Sequence, residues 1–88
     1  MTPDELRMEL LEALSRCTDP EQASRLVADA RDMLAAAALA PAARARFWDR
    51  LYGEILSLAH RTPPTSGTDQ KWLVLTVAQS EIDRYRHE

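Results

Sequence analysis

Three arginines and three aromatic residues share one short stretch of the chain, PAARARFWDRLYGEILSLAH, at positions 41–60. The cations are Arg44, Arg46 and Arg50, and the aromatic residues stand at positions 47, 48 and 52. Arginine binds phosphate and aromatic rings stack on bases, so interleaving on one surface would indicate a nucleic-acid site. If the two types lie on opposite sides of a helix, the stretch is instead a buried helix with a polar outer face.

Helical spacing separates the two types. At 100° per residue the apolar side chains of this stretch cover about 180° of a helix, more than the roughly 100° that one neighbour requires. They are Phe47, Trp48, Leu51, Tyr52, Ile55, Leu56, Leu58 and Ala59. Arg50 and Glu54 lie on the opposite face, four residues apart, where they are predicted to form an ion pair. The pattern favours a core helix and predicts that this helix is the central element of the fold.

Composition also argues against broad binding of nucleic acid. The chain has 88 residues and a net charge of -3, whereas nucleic-acid-binding domains are usually basic. Its length predicts a single helical domain over residues 1–88. The predominance of arginine over lysine and the many alanines are typical of a GC-rich, bacterial genome.

The residue types needed for catalysis are scattered. Gly53 and Gly67 are the only glycines, too few for a phosphate-binding loop, and His60 and His87 have no partner at metal-ligand spacing. Cys17, the single cysteine, falls on an apolar helix face as a small core residue would. We therefore expect no enzyme, no metal and no cofactor.

The cellular compartment is predicted from the same cysteine and from the first residues. One cysteine forms no internal disulfide, which fits a reducing cytoplasm. The start MTPDELRMEL carries acids where a signal peptide needs bases. The alanine-rich run around residues 33–43 is too short to span a bilayer. A cytoplasmic protein without membrane contact is expected.

Four helices are predicted, over roughly residues 3–17, 20–38, 41–61 and 69–86. Thr2 and Asp19 are the expected N-caps of the first two helices, each followed by a proline at the first helical position. Short connections between such helices predict an all-α fold, a compact antiparallel bundle of about four helices.

The buried faces follow from the 3.6-residue period. Helix 2 should bury Ala23, Leu26, Val27, Ala30, Met33, Leu34 and Ala37. Helix 4 should bury Val74, Leu75, Ala78, Ile82 and Tyr85.

The start of helix 3 lacks both a polar cap and an early acid, although its arginines face the positive end of the helix dipole. Three explanations remain open. Helices 2 and 3 could join through a tight bend or form one helix kinked at Pro41. Acids of helix 1 could neutralise the arginines, the candidates being Glu5, Glu9 and Glu12. An anionic partner could contact Arg44, Arg46 and Arg50.

A candidate interface lies on helix 4. Leu73 and Val77 form an apolar pair roughly opposite its inward face, and Trp72 lies at the edge of that face. Gly53 in the middle of helix 3 costs about 1 kcal/mol against alanine, which is explained either by drift or by close approach of another helix or a partner.

These features predict a non-catalytic protein–protein interaction module: a small adaptor, an assembly chaperone, an inhibitor or a subunit of a larger bacterial complex. A protein partner is expected, in a homodimer or a heteromer. The alternative is a small DNA-associated transcriptional regulator or antitoxin that uses the arginine-rich start of helix 3.

Overall fold

The computed structural model describes residues 2–61 and 70–87, and the regular structure in these ranges is entirely α-helical. The helices are α1 (Pro3–Arg16), α2 (Pro20–Ala36), α3 (Pro41–Arg61) and α4 (Gln70–Arg86). They form an all-α bundle around one hydrophobic core, which confirms the predicted fold class. The predicted helix ends agree to within one turn, and the predicted start at position 69 lies outside the described residues.

The first two helices begin at the predicted caps. The Thr2 hydroxyl accepts a hydrogen bond from the Glu5 amide at 3.2 Å, and the Asp19 carboxylate accepts one from the Glu21 amide at 3.0 Å. Each cap satisfies an amide that has no partner within the helix. Pro3 and Pro20 therefore open α1 and α2 without loss of a helical hydrogen bond.

Helices α2 and α3 are separate, which resolves the question of a single helix kinked at Pro41. Helix α2 ends at Ala36, and Ala38 adopts a left-handed backbone with a φ of 54°. The chain then re-enters a helix at Pro41, where the Ala40 carbonyl accepts the Arg44 amide at 3.0 Å. The first turn of α3 contains no acidic residue, so its arginines do lie near the positive end of the helix dipole without an acid of the same turn.

Helix α4, rather than α3, is the central element of the bundle. It packs extensively against both α2 and α3, which touch each other only marginally, and it also contacts α1. Helix α1 covers α2 and α3 from the other side of the core. The predicted central role of helix 3 is therefore wrong, because the apolar content of α4 is spread around its circumference and allows contact on several sides.

Successive helices run antiparallel, yet two neighbouring pairs run parallel. In the α1–α3 pair, Asp4 approaches Arg50 and Arg7 pairs with Glu54, so sequence numbers rise together along both helices. The α2–α4 pair is also parallel, because Arg31 near the end of α2 lies 5.1 Å from the centre of the Tyr85 ring near the end of α4. Helices α3 and α4 run antiparallel, since the Tyr85 ring lies 5.2 Å from that of Trp48 in the first half of α3. This arrangement follows from the short α2–α3 connection, which crosses the bundle.

The core confirms most of the predicted faces. Trp48 and Leu51 are buried, and so is the whole predicted inward face of α4. Two positions assigned to the buried face of helix 2 are wrong, because Met33 and Ala37 are exposed. Met33 borders a surface cavity between α1 and α2, and Ala37 lies past the end of α2. No described helix combines the length and apolarity needed to cross a membrane.

The left-handed Ala38 gives a direct test of this connection. A Cβ in left-handed backbone costs about 1–2 kcal/mol, while glycine adopts it freely but loses more chain entropy on folding. We expect Ala38→Gly to raise the free energy of unfolding by about 0.5–1 kcal/mol in urea denaturation. Ala35→Gly, inside α2, should lower it by a similar amount. If both variants lose stability, α2 does not end at this turn.

Candidate functional site

No three His, Cys, Asp or Glu side chains among residues 2–61 and 70–87 lie close enough to hold a metal ion. The Cys17 thiol is buried and donates to the Asp19 carbonyl at 3.2 Å, as expected for a core residue at a helix end. The other residues predicted to form a site lie on α3 and α4.

The predicted anionic-partner contacts divide between two cavities. Arg46 and Arg50 line a cavity of about 210 Å³ between α1 and α3, together with Arg7 and Asp4. Arg44 lies elsewhere, in a cavity of about 360 Å³ between the ends of α2 and α4 and the start of α3. The arginine-rich stretch thus presents no single cationic surface.

Arginines of the chain itself already contact aromatic rings in and beside the Arg44 cavity. Arg31 lies 5.1 Å from the centre of the Tyr85 ring. Arg86 lies 4.2 Å from the centre of the Tyr52 ring and forms an ion pair with Asp49 at 3.5 Å. These contacts fasten the end of α4 to α2 and α3, which is a structural role.

Arg84 adds a contact on the solvent side of the same tyrosine. Its hydrogen bond with Tyr85, followed by the negative charge of Glu81, raises the pKa of Arg84 above its ordinary value. The Arg84 guanidinium also forms an ion pair with Glu81 at 2.7 Å.

A partly buried ion pair joins α1 to α3. Arg7 is only 7% exposed, and its guanidinium pairs with Glu54 across the two helices and with Asp4 at 3.7 Å. The predicted pair between Arg50 and Glu54 is wrong, because Glu54 faces α1, and Arg50 approaches Asp4 at 3.9 Å instead. The Arg7 Nε atom is buried without a hydrogen-bond partner, so the pair carries a desolvation cost.

The prediction that Glu5, Glu9 and Glu12 neutralise the arginines of helix 3 is also wrong. The parallel direction of α1 and α3 brings only Asp4 to the start of α3. The three glutamates lie further along and line a different concavity. Glu12 forms an ion pair with Arg16 at 2.7 Å, and no side chain in the described residues pairs with Glu5 or Glu9.

That concavity, here called the α1–α3 groove, is an open depression between the two helices with a partly apolar lining. Its volume is about 660 Å³. It is lined by Glu5, Met8, Glu9, Leu11, Glu12 and Ser15 of α1 and by Glu54, Leu58 and Arg61 of α3. Met8 is 62% exposed, and Leu11 and Leu58 are half-buried. The groove thus has an apolar base with carboxylates along its edge.

The predicted interface on α4, here called the outer stripe, consists of Trp72, Leu73 and Val77. Trp72 is 40% and Leu73 36% exposed, and Val77 is half-buried. Gly53 is exposed, and a Cβ built on it would meet no atom within 4 Å. The explanation that another helix of this chain approaches Gly53 closely is therefore wrong. Contact of a partner protein with Gly53 stays a prediction.

Sequence reasoning missed the groove although its signal was present. Met8 falls outside the apolar arc of helix 1, and Glu5, Glu9 and Glu12 recur beside it at helical spacing. What could not be read was the direction of α3 relative to α1, which brings Leu58 alongside Leu11.

Comparison with known protein families, with curated proteins and with solved structures gives no match.

The Arg7–Glu54 pair can be tested by a double-mutant cycle. Glu54→Leu leaves the buried guanidinium with Asp4 alone and should lower the free energy of unfolding by about 1–3 kcal/mol. Adding Arg7→Met should restore most of this loss, because an apolar pair of similar volume replaces both charges. Urea denaturation measures both effects.

The control for this cycle is Glu12→Leu, which removes an ion pair exposed at both ends and should change stability by no more than about 0.5 kcal/mol. The cycle also needs Arg7→Met alone. If the double variant loses as much free energy of unfolding as Glu54→Leu and Arg7→Met lose together, Arg7 and Glu54 do not interact.

Proposed function

We propose that this protein is a non-catalytic protein–protein interaction module. The observation that carries the proposal is the outer stripe, in which Trp72 and Leu73 are exposed on a helix whose inward face is already fully buried. Apolar side chains beyond those that the core needs are typical of a contact surface when they are contiguous. The module would be an adaptor, an assembly chaperone, an inhibitor or a subunit of a larger bacterial complex.

The size of the chain supports this proposal. A domain of 88 residues buries only roughly 60–65% of the surface of its unfolded chain, so covering further apolar surface adds useful stability. Symmetric pairing of two copies is the commonest arrangement that provides it. We therefore propose a homodimer, or a heteromer with another protein, in which α4 contributes the outer stripe.

The charge distribution gives less support to the DNA-associated alternative. Arg50 approaches Asp4, and Arg44 lies in a separate cavity from Arg46 and Arg50. A net charge of -3 would oppose the approach of a phosphate backbone. A protein surface is the better candidate for the partner.

Light scattering coupled to size exclusion tests the outer stripe. The wild type should elute as a dimer, and Leu73→Glu with Val77→Glu should convert it to a monomer, because two carboxylates cannot be buried without partners. Helical circular dichroism should be unchanged. Met33→Glu with Ala42→Glu adds the same charge at exposed positions elsewhere and should leave the dimer intact.

Two results would contradict this proposal in different ways. A wild type that is monomeric at high concentration would remove the homodimer and leave only the heteromer. Unfolding of the Leu73→Glu, Val77→Glu variant would show that the stripe belongs to the internal core.

A further inference from the structure

We infer that the α1–α3 groove binds a basic amphipathic helix of a partner protein. The inference extends the proposed function to a second surface, whose chemistry differs from that of the outer stripe. It rests on three properties of the groove: its apolar base, its carboxylate edge and its length.

The base of the groove suits side chains such as leucine. Met8 is largely exposed, and Leu11 and Leu58 present part of their surface beside it. Methionine is flexible and polarizable, so it adapts to apolar side chains of different shapes. An amphipathic helix laid into an apolar groove contributes such side chains at i, i+3, i+4 and i+7.

The edge of the groove selects for cations. Glu5 and Glu9 have no ion-pair partner in the described part of the chain, and Glu12 follows on the same side of α1. Arg61 is the one cation among the groove residues. A bound helix with lysines or arginines on its flank would pair with these carboxylates, while an acidic helix would be repelled.

The length of the groove fits a helix of about three turns. Its α1 side runs from Glu5 to Ser15, which at 1.5 Å per residue is about 15 Å. A second copy of this chain offers no matching segment at its arginine-rich stretch, because Phe47 and Trp48 are buried there. Each copy also carries a net charge of -3, which disfavours a second copy at this acidic edge, so a helix of a different protein is the occupant we infer.

Model peptides test the inference without knowledge of the natural partner. The probe is a labelled 14-residue amphipathic helix with leucines on one face and lysines on the other. The control peptide carries glutamates in place of the lysines. Fluorescence anisotropy should show binding of the lysine peptide, weakened by added salt, and at least about tenfold weaker binding of the glutamate peptide.

Variants of the protein locate the binding site. Glu5→Gln with Glu9→Gln should weaken the lysine peptide about tenfold, since two unpaired edge carboxylates are lost. Asp32→Asn with Glu81→Gln removes the same net charge away from the groove and should change the affinity less than twofold. Met8→Gln should weaken binding through loss of the apolar base. Circular dichroism confirms that each variant is folded.

The inference would be overturned by no binding of the lysine peptide at millimolar concentration, by equal binding of the glutamate peptide, by equal loss in the two charge variants, or by dissociation of a wild-type dimer by the peptide. The last would show that a second copy occupies the groove. Weaker binding in the Leu73→Glu, Val77→Glu variant would place the peptide on the outer stripe, which contradicts the groove but leaves the proposed function intact.

Discussion

The ion pair between Arg7 and Glu54 links α1 to α3 at the one buried charged residue in the described part of the chain. It joins two parallel helices that meet along their sides, and it divides their contact into two chemically different halves. Arg46, Arg50 and Asp4 lie towards the starts of both helices, and the groove with its glutamates lies towards their ends. Because a guanidinium that is only 7% exposed cannot lose its partner cheaply, the pair favours the observed register of α1 against α3. The groove exists in its present form because that register brings Leu58 beside Leu11.

The position of α4 explains why apolar side chains are left on the surface. Helices α2 and α3 barely touch, so α4 must fill the space between them with side chains directed to both. Val74, Leu75, Ala78 and Ile82 are fully buried in that role. Trp72 and Leu73 are not required by these contacts and remain exposed. Helix α1, in contrast, contributes a single apolar face to the core, and its outer face is free to carry Met8 and the unpaired glutamates.

The sequence was sufficient for the local structure and insufficient for the arrangement of the helices. Thr2 and Asp19 could be assigned as caps because a cap depends on neighbours within one turn. The inward face of α4 followed from the helical period. The Arg50–Glu54 pair was predicted wrongly because the same spacing permits a local partner, and only the parallel docking of α1 offers Arg7 instead. Met33 was misassigned for a related reason: its exposure depends on how α1 packs against α2, which the helical period of α2 alone does not indicate. The groove needed both helices and therefore had no complete signal in either.

The central claim is that this small bundle works through a surface that binds another protein segment, and the position of the bound segment tests it most directly. An amide NMR titration of the isotopically labelled protein with the lysine-containing amphipathic peptide would map that position residue by residue. The account predicts shifts confined to residues 5–15 of α1 and 54–61 of α3, with residues 72–77 of α4 unaffected. Shifts at residues 44–50 or across the whole surface, without a focus on the groove, would contradict it.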